Sequence, residues 1–445
     1  MRTVYNILFL FCLVLASPYY FLRMRRRGNW IQGFSQRFGK YDSGIKQAIT
    51  NRRKIWFHAV SVGEVNLCTQ LIHAIEPRLP NFKIIVSTTT TTGMGELRAK
   101  LPGHVTKIYY PIDRRRYVAR ALGMFRPEAL ILVEAEIWPN FIHRARAQGI
   151  PLFLVNARLS NRSYRRYKRF GFLFRPLFAA FDGVGAQSES DATRFHELGC
   201  RPEAIRVVGS LKFDAAQLSE SRPLNVREIL RQLGVPQDAR LIVGGSTHAG
   251  EEGILAQVYL RLKKQFPDLF LVLVPRHFER GREVGRELKN IGLNYLLRTE
   301  LSVTTRHSDG ELDCLVVNST GELRYFYEPA TVIFVGKSLT AEGGQNPIEP
   351  GAIGRAMVFG PNMQNFADIS QSFLQRKGAV QVRDAKELES VLANLLADRP
   401  AREELGRRAR EVVSENMGAI EKTVEMILSC FDEKDDYVLP KKQRI

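Results

Sequence analysis

The sequence predicts an α/β protein built from two Rossmann-like domains facing a cleft, with an apolar helix ahead of them. Three observations predict it. Short apolar runs alternate with helix-length amphipathic segments along most of the chain, which is the pattern of parallel strands covered on both faces by helices. The alternation breaks once, in a polar, Pro-containing stretch from Asp214 to Asp238, and near the start of the chain 19 residues, Val4 to Leu22, carry no charge. At 445 residues and 44% apolar content the chain can bury two cores of ordinary size.

The opening run, Val4 to Leu22, is long enough to span a bilayer as a helix. Arg23, Arg25, Arg26 and Arg27 follow it. A cleaved signal peptide carries its charge before the apolar run, so residues 1–27 read as a retained membrane anchor whose basic flank keeps the rest of the chain in the cytoplasm, either as a full span or, because Pro18, Tyr19 and Tyr20 weaken its far end, as a shallow insertion.

Residues 28–213 form the first expected domain, with strands at Ile55 to Val60, Lys83 to Ser87, Leu130 to Val133, Leu152 to Val155 and Gly183 to Ala186. Residues 214–238 are the linker. The second domain, 239–400, has expected strands at Leu241 to Val243, Leu269 to Val274, Cys314 to Val317, Thr331 to Val335 and Ala356 to Phe359. Residues 401–445 form a helical tail, running from Arg402 to Cys430.

Charge divides the chain. Residues 1–212 carry 34 Lys+Arg against 13 Asp+Glu, and the remainder carries 31 against 33. A basic half calls for an anionic partner, nucleic acid or a phosphate-bearing membrane surface, and the anchor decides for the membrane and against nucleic acid. Arg162, Arg165, Arg166, Lys168, Arg169 and Arg175 alternate there with Tyr164, Tyr167, Phe170, Phe172 and Phe174, a mixture suited to lipid headgroups. The five scattered cysteines form neither a disulfide framework nor a CxxC site, and the eight histidines show no metal-ligand spacing. The Gly93-Met94-Gly95-Glu96 segment lacks the third glycine of a dinucleotide fingerprint, and no GxxxxGK[ST] loop is present.

Chemistry-bearing residues gather at expected strand ends, where open α/β sheets bind ligands. Glu64 follows Ser61-Val62-Gly63 at the start of a helix, where it is either a general base or a carboxylate that complements the helix dipole. Glu134 and Glu136 end another strand, with Pro139 placed to open the next helix. Lys212 closes the first half, within Gly209-Ser210-Leu211-Lys212-Phe213-Asp214. In the second half, Pro275-Arg276-His277 offers a guanidinium that can fork onto a phosphate. Glu342-Gly343-Gly344-Gln345-Asn346-Pro347-Ile348-Glu349 offers a Gly-rich loop and an acid able to accept ribose hydroxyls.

These segments, together with Asn156-Ala157-Arg158-Leu159-Ser160 and Ser246-Thr247-His248-Ala249-Gly250-Glu251-Glu252, run in an order that resembles the 3-deoxy-D-manno-octulosonic acid (Kdo) transferases, the lipid A glycosyltransferases of Gram-negative bacteria. The resemblance implies a glycosyltransferase B-type fold that binds CMP-Kdo mainly through the C-terminal domain and the acyl-disaccharide lipid IVA through the N-terminal one. It implies Glu64 as general base, Glu134 and Lys212 as transition-state stabilisers, and Pro275, Arg276, Thr320, Gly321, Glu322, Asn346, Pro347, Ile348 and Glu349 as CMP contacts. It also implies catalysis without a metal or cofactor, at the cytoplasmic face of the inner membrane. Two positions depart from the pattern: Lys337 stands where a second glycine is usual, and Pro350-Gly351 follow Glu349 in place of small helix formers. The rival readings are a membrane-associated B-type glycosyltransferase using a UDP-sugar, and an inactive lipopolysaccharide-binding scaffold.

Overall fold

The computed structural model describes residues 2–26, 31–134, 136–215, 224–302 and 304–431. It divides into two compact units, Met1–Ala215 with Met417–Ile445, and Ala216–Asn416.

In the first unit seven parallel strands run β1 Arg53–His58, β2 Phe82–Thr88, β3 Thr106–Tyr109, β4 Ala129–Val133, β5 Leu152–Ala157, β6 Gly183–Ala186 and β7 Ile205–Val207, in the spatial order β3-β2-β1-β4-β5-β6-β7. Side chains alternate between two apolar clusters, one on each face. Trp56, Leu130 and Leu132 enter one, while Ile55, Phe57, Ile131 and Val133 enter the other. Burial on both faces is why these strands read as unbroken apolar runs.

The second unit repeats the plan with β8 Leu241–Thr247, β9 Phe270–Pro275, β10 Tyr295–Leu297, β11 Cys314–Val316, β12 Val332–Val335, β13 Met357–Phe359 and β14 Val380–Gln381. Their order is β10-β11-β9-β8-β12-β13-β14, again parallel.

The helical tail is two helices. Arg399–Glu415 belongs to the second unit, whereas Ala419–Leu428 returns to the first, where Val424, Met426 and Ile427 join the core. Gly418 at φ 87° makes the break, and Asp214 fixes the returning helix by accepting the N–H groups of Gly418 and Ile420, each at 2.7 Å. The stretch expected to be linker contains a helix of its own, Val226–Gln232, and residues 216–223 within it lie outside the described residues.

The expected anchor was to span the bilayer or lie within its interface, and the spanning alternative needs correction. The helix forms, Arg2–Arg26, yet among the described residues no helix is long and apolar enough to cross a membrane. The apolar run is shortened at one end, where the Tyr5 hydroxyl donates to Asp113 (2.8 Å) and Asn6 accepts from Asn140 (2.9 Å), and it is weakened at the other by Ser17, Pro18 and Tyr19. Along the helix Val4, Ile7, Leu8, Phe11, Val14, Leu15 and Leu22 are exposed at helical spacing, so one apolar stripe faces outward.

Candidate active site

Strands β1 and β4 lie side by side, but the chain continues from β1 to one side of the sheet and from β4 to the other. Loops at their carboxyl ends therefore diverge and leave a crevice, the usual ligand position in an open α/β sheet. Glu64 and Glu136 follow these two ends, with Glu134 between them.

Ser61 caps the helix Val62–Ile75, its hydroxyl accepting the Glu64 N–H at 3.2 Å, and the Glu64 carboxylate folds back to accept the Val60 N–H at 2.8 Å. This variant of the capping box means that Glu64 does have a helix-entry role. Burial pushes its carboxyl above the usual range and the neighbouring Glu134 adds to the shift, against the bonds from Val60 and Ser61. A raised pKa makes a carboxylate a better proton acceptor.

Glu134 adopts left-handed backbone, φ 59°, while its N–H still reaches Val155 O at 2.9 Å. Asn156, at the end of the neighbouring β5, is also left-handed at φ 52°. Its Nδ2 makes a long contact of 3.5 Å to Glu134 Oε1, and its Oδ1 accepts the Leu211 N–H at 3.1 Å. The helix Leu211–Ala215, which carries half-buried Lys212, packs against the helix of Glu64. Glu64, Glu134 and Lys212, far apart in sequence, are thus brought to one edge. Strained backbone at such an edge persists only where its surroundings over-determine it, and it concentrates at functional sites.

Sequence reasoning passed over Glu136, although it noted the carboxylate pair. Burial, the charge of Glu64 and, after them, that of Glu134 push its carboxyl up to about 7, opposed by the Trp138 indole N–H at 2.9 Å. His58, at the end of β1, is a core residue: it stacks on Tyr110 at 3.8 Å, contacts Ser87 through Nδ1 at 2.9 Å, and is held neutral by burial, its pKa lowered to about 3.

The second unit has its own switch point, between β8 and β12. Buried Glu251 stitches it together. Its Oε2 accepts the N–H groups of His248 (2.8 Å) and Lys337 (2.7 Å), and its Oε1 accepts those of Ser338 and Leu339, both at 2.9 Å. Gly336 is required there, since a Cβ would stand 2.5 Å from Ser246 O. The predicted nucleotide contacts all lie at or after strand ends on this edge: Pro275 ends β9 and Arg276 follows it, Thr320, Gly321 and Glu322 come after β11, and Asn346, Pro347, Ile348 and Glu349 lie between β12 and β13.

Asn346 donates to Glu349 at 3.1 Å. Burial raises the Glu349 carboxyl, while Asn346, Arg324 and Arg276 pull it down, which groups these four side chains. Glu322 is already committed to Arg298 at 3.1 Å and to the Ser319 hydroxyl at 2.7 Å, so its carboxylate braces its own loop.

Two parallel α/β units of this design define a B-type glycosyltransferase fold. The overall likeness is to UDP-GlcNAc 2-epimerase from Neisseria meningitidis (TM-score 0.56, 13% identity, 84% of this chain and 100% of that one). It extends to a glycosyltransferase from Rickettsia africae (TM-score 0.55, 14% identity, 86% and 100%). The family model for 3-deoxy-D-manno-octulosonic-acid transferase matches residues 32–215. The 3-deoxy-D-manno-octulosonic acid transferase of Haemophilus influenzae is 30% identical over 427 residues, covering 96% of this chain and 98% of that protein. The chain belongs to the Kdo transferase family.

Proposed function

We propose that the protein transfers Kdo from CMP-Kdo to a hydroxyl of lipid IVA, with inversion at the anomeric carbon and without a metal, in lipopolysaccharide core synthesis. The observation that carries this reading is the carboxylate cluster at the β1/β4 switch point in a member of the Kdo transferase family. Glu64, with its raised pKa, takes the acceptor hydroxyl proton as the new oxygen–carbon bond forms. The bond from that carbon to the phosphate oxygen breaks, and CMP leaves with the electron pair. General-base assistance of this kind is worth roughly 10² to 10⁴-fold.

Lys212, in the unit of Glu64, and Arg276, in the nucleotide unit, offset the negative charges of the donor by fixed positive charge. Glu134 is kept in place by Asn156. Glu349 and Asn346 receive the ribose, and Arg276 faces the phosphate.

The acceptor is an acylated anion within a membrane, and the basic first unit fits it. The outward apolar stripe of Arg2–Arg26 rests in the lipid interface at the cytoplasmic face of the inner membrane, and the exposed Arg162, Arg165, Arg166, Arg169, Phe170 and Phe172 meet anionic headgroups. Tyr167 and Phe174 pack against one another at 4.7 Å in place of facing lipid. Thermal protection by CMP but not UDP would support the donor assignment. Equal protection by UDP would favour a UDP-sugar enzyme.

A further inference from the structure

Lys337 is the one residue of the β12 loop whose backbone runs against its side chain. It sits at φ 53°, a left-handed conformation that favours glycine, immediately after Gly336 at the β8/β12 switch point. The conformation is enforced from both sides. Its N–H is bound to Glu251 Oε2 at 2.7 Å, and its carbonyl accepts the Gly344 N–H at 2.8 Å.

A lysine in a position that glycine would occupy without strain needs a reason in its side chain. That side chain turns over the Gly-rich loop. A Cβ on Gly343 would stand 3.2 Å from Lys337 Nζ and 2.8 Å from Asn365 Nδ2, so an ammonium and an amide converge on the space that this glycine leaves open. Among the described residues neither nitrogen has a hydrogen-bond or ion-pair partner, and Glu251, which holds the Lys337 N–H, spends both oxygens on backbone N–H groups. Lys337 is half-buried, Asn365 is exposed, and the space between them opens at the edge where the sheet receives ligands.

We propose that Lys337, aided by Asn365, binds the phosphate of the nucleotide donor, and that the strained backbone is retained to deliver that ammonium. The proposal rests on reading this unit as the CMP-sugar site. A cation here would hold the ground-state phosphate and also the charge that develops as CMP departs.

The test measures binding of CMP and of cytidine, by calorimetry on the full chain, for wild type, Lys337→Met and Lys337→Gly. CMP affinity is expected to fall at least tenfold in both variants, with cytidine affinity unchanged. Lys337→Gly is also expected to melt above wild type, because glycine accepts φ 53°. Unchanged CMP binding in both variants, or equal loss for CMP and cytidine, would overturn the assignment to the phosphate while leaving the CMP site intact. A wild-type protein that binds neither would overturn the nucleotide reading and this proposal together.

Discussion

Asn156 joins two chemical groups that the sequence holds apart: its Nδ2 stands 3.5 Å from Glu134 Oε1 while its Oδ1 receives the N–H of Leu211, the residue before Lys212. One side chain thereby sets the position of a carboxylate and of a cation-bearing helix. Its left-handed backbone suits asparagine, which tolerates that conformation better than most residues.

Replacing Asn156 by alanine should cost about 2–4 kcal/mol, the sum of left-handed strain and a buried N–H left without its acceptor. Asn156→Gly removes the strain alone and should recover roughly 1 kcal/mol relative to Asn156→Ala. Urea midpoints separate the two. Both variants should lose turnover by a similar factor, because both release Glu134 and the Leu211 N–H.

Glu136 should make stability depend on pH near neutrality. Its folded pKa of about 7 lies above the ordinary 4.5, so the folded state binds this proton more tightly than the unfolded chain. The resulting stabilisation is full below pH 4.5 and is lost as pH rises through 7. At 1.36 kcal/mol per pKa unit, the loss is up to about 3 kcal/mol, and Glu136→Gln should escape it. Denaturation at pH 5 and pH 8 should show the variant gaining on wild type at the higher pH. Parallel pH dependence of the two would contradict this.

Much of this architecture was legible in the chain, and what was missed has a common cause. All ten expected strands are present in the interiors of the two sheets, where burial on both faces demands continuous apolar sequence. The four not foreseen, β3, β7, β10 and β14, are the four sheet edges. Ile205–Val207, Tyr295–Leu297 and Val380–Gln381 are short and only partly buried, so no apolar run marks them. At the site, residue types at strand ends pointed to Glu64, Glu134 and Lys212. Asn156 and Glu251 stood within two of the quoted segments, but their bracing roles were hidden, because those arise from pairing between loops distant in sequence.

Membrane attachment should be electrostatic as well as apolar. Binding to vesicles should rise with anionic lipid and fall with salt, and replacing Arg162, Arg165, Arg166 and Arg169 by glutamine together should weaken it by about 1 kcal/mol per charge. Binding indifferent to both lipid charge and salt would leave only the apolar stripe as the attachment.

Removal of metal should be without effect. Lys212 and Arg276 supply the positive charge in the proposed reaction, so dialysis against EDTA should leave the rate within twofold of the untreated enzyme. A loss restored by a divalent cation would show that fixed side-chain charge does not suffice.

In the proposed reaction this chain moves Kdo and Glu64 takes the acceptor proton. The direct measurement incubates wild type and Glu64→Gln, in detergent, with lipid IVA and CMP-Kdo generated in place, and follows products by mass spectrometry. Glutamine keeps an oxygen for the Val60 N–H, so the fold should survive. Wild type should add Kdo, and the variant should do so about 10² to 10⁴-fold more slowly at an unchanged melting temperature. A variant turning over at the wild-type rate would remove Glu64 from the chemistry, and an unmodified acceptor with wild type would contradict Kdo transfer by this chain.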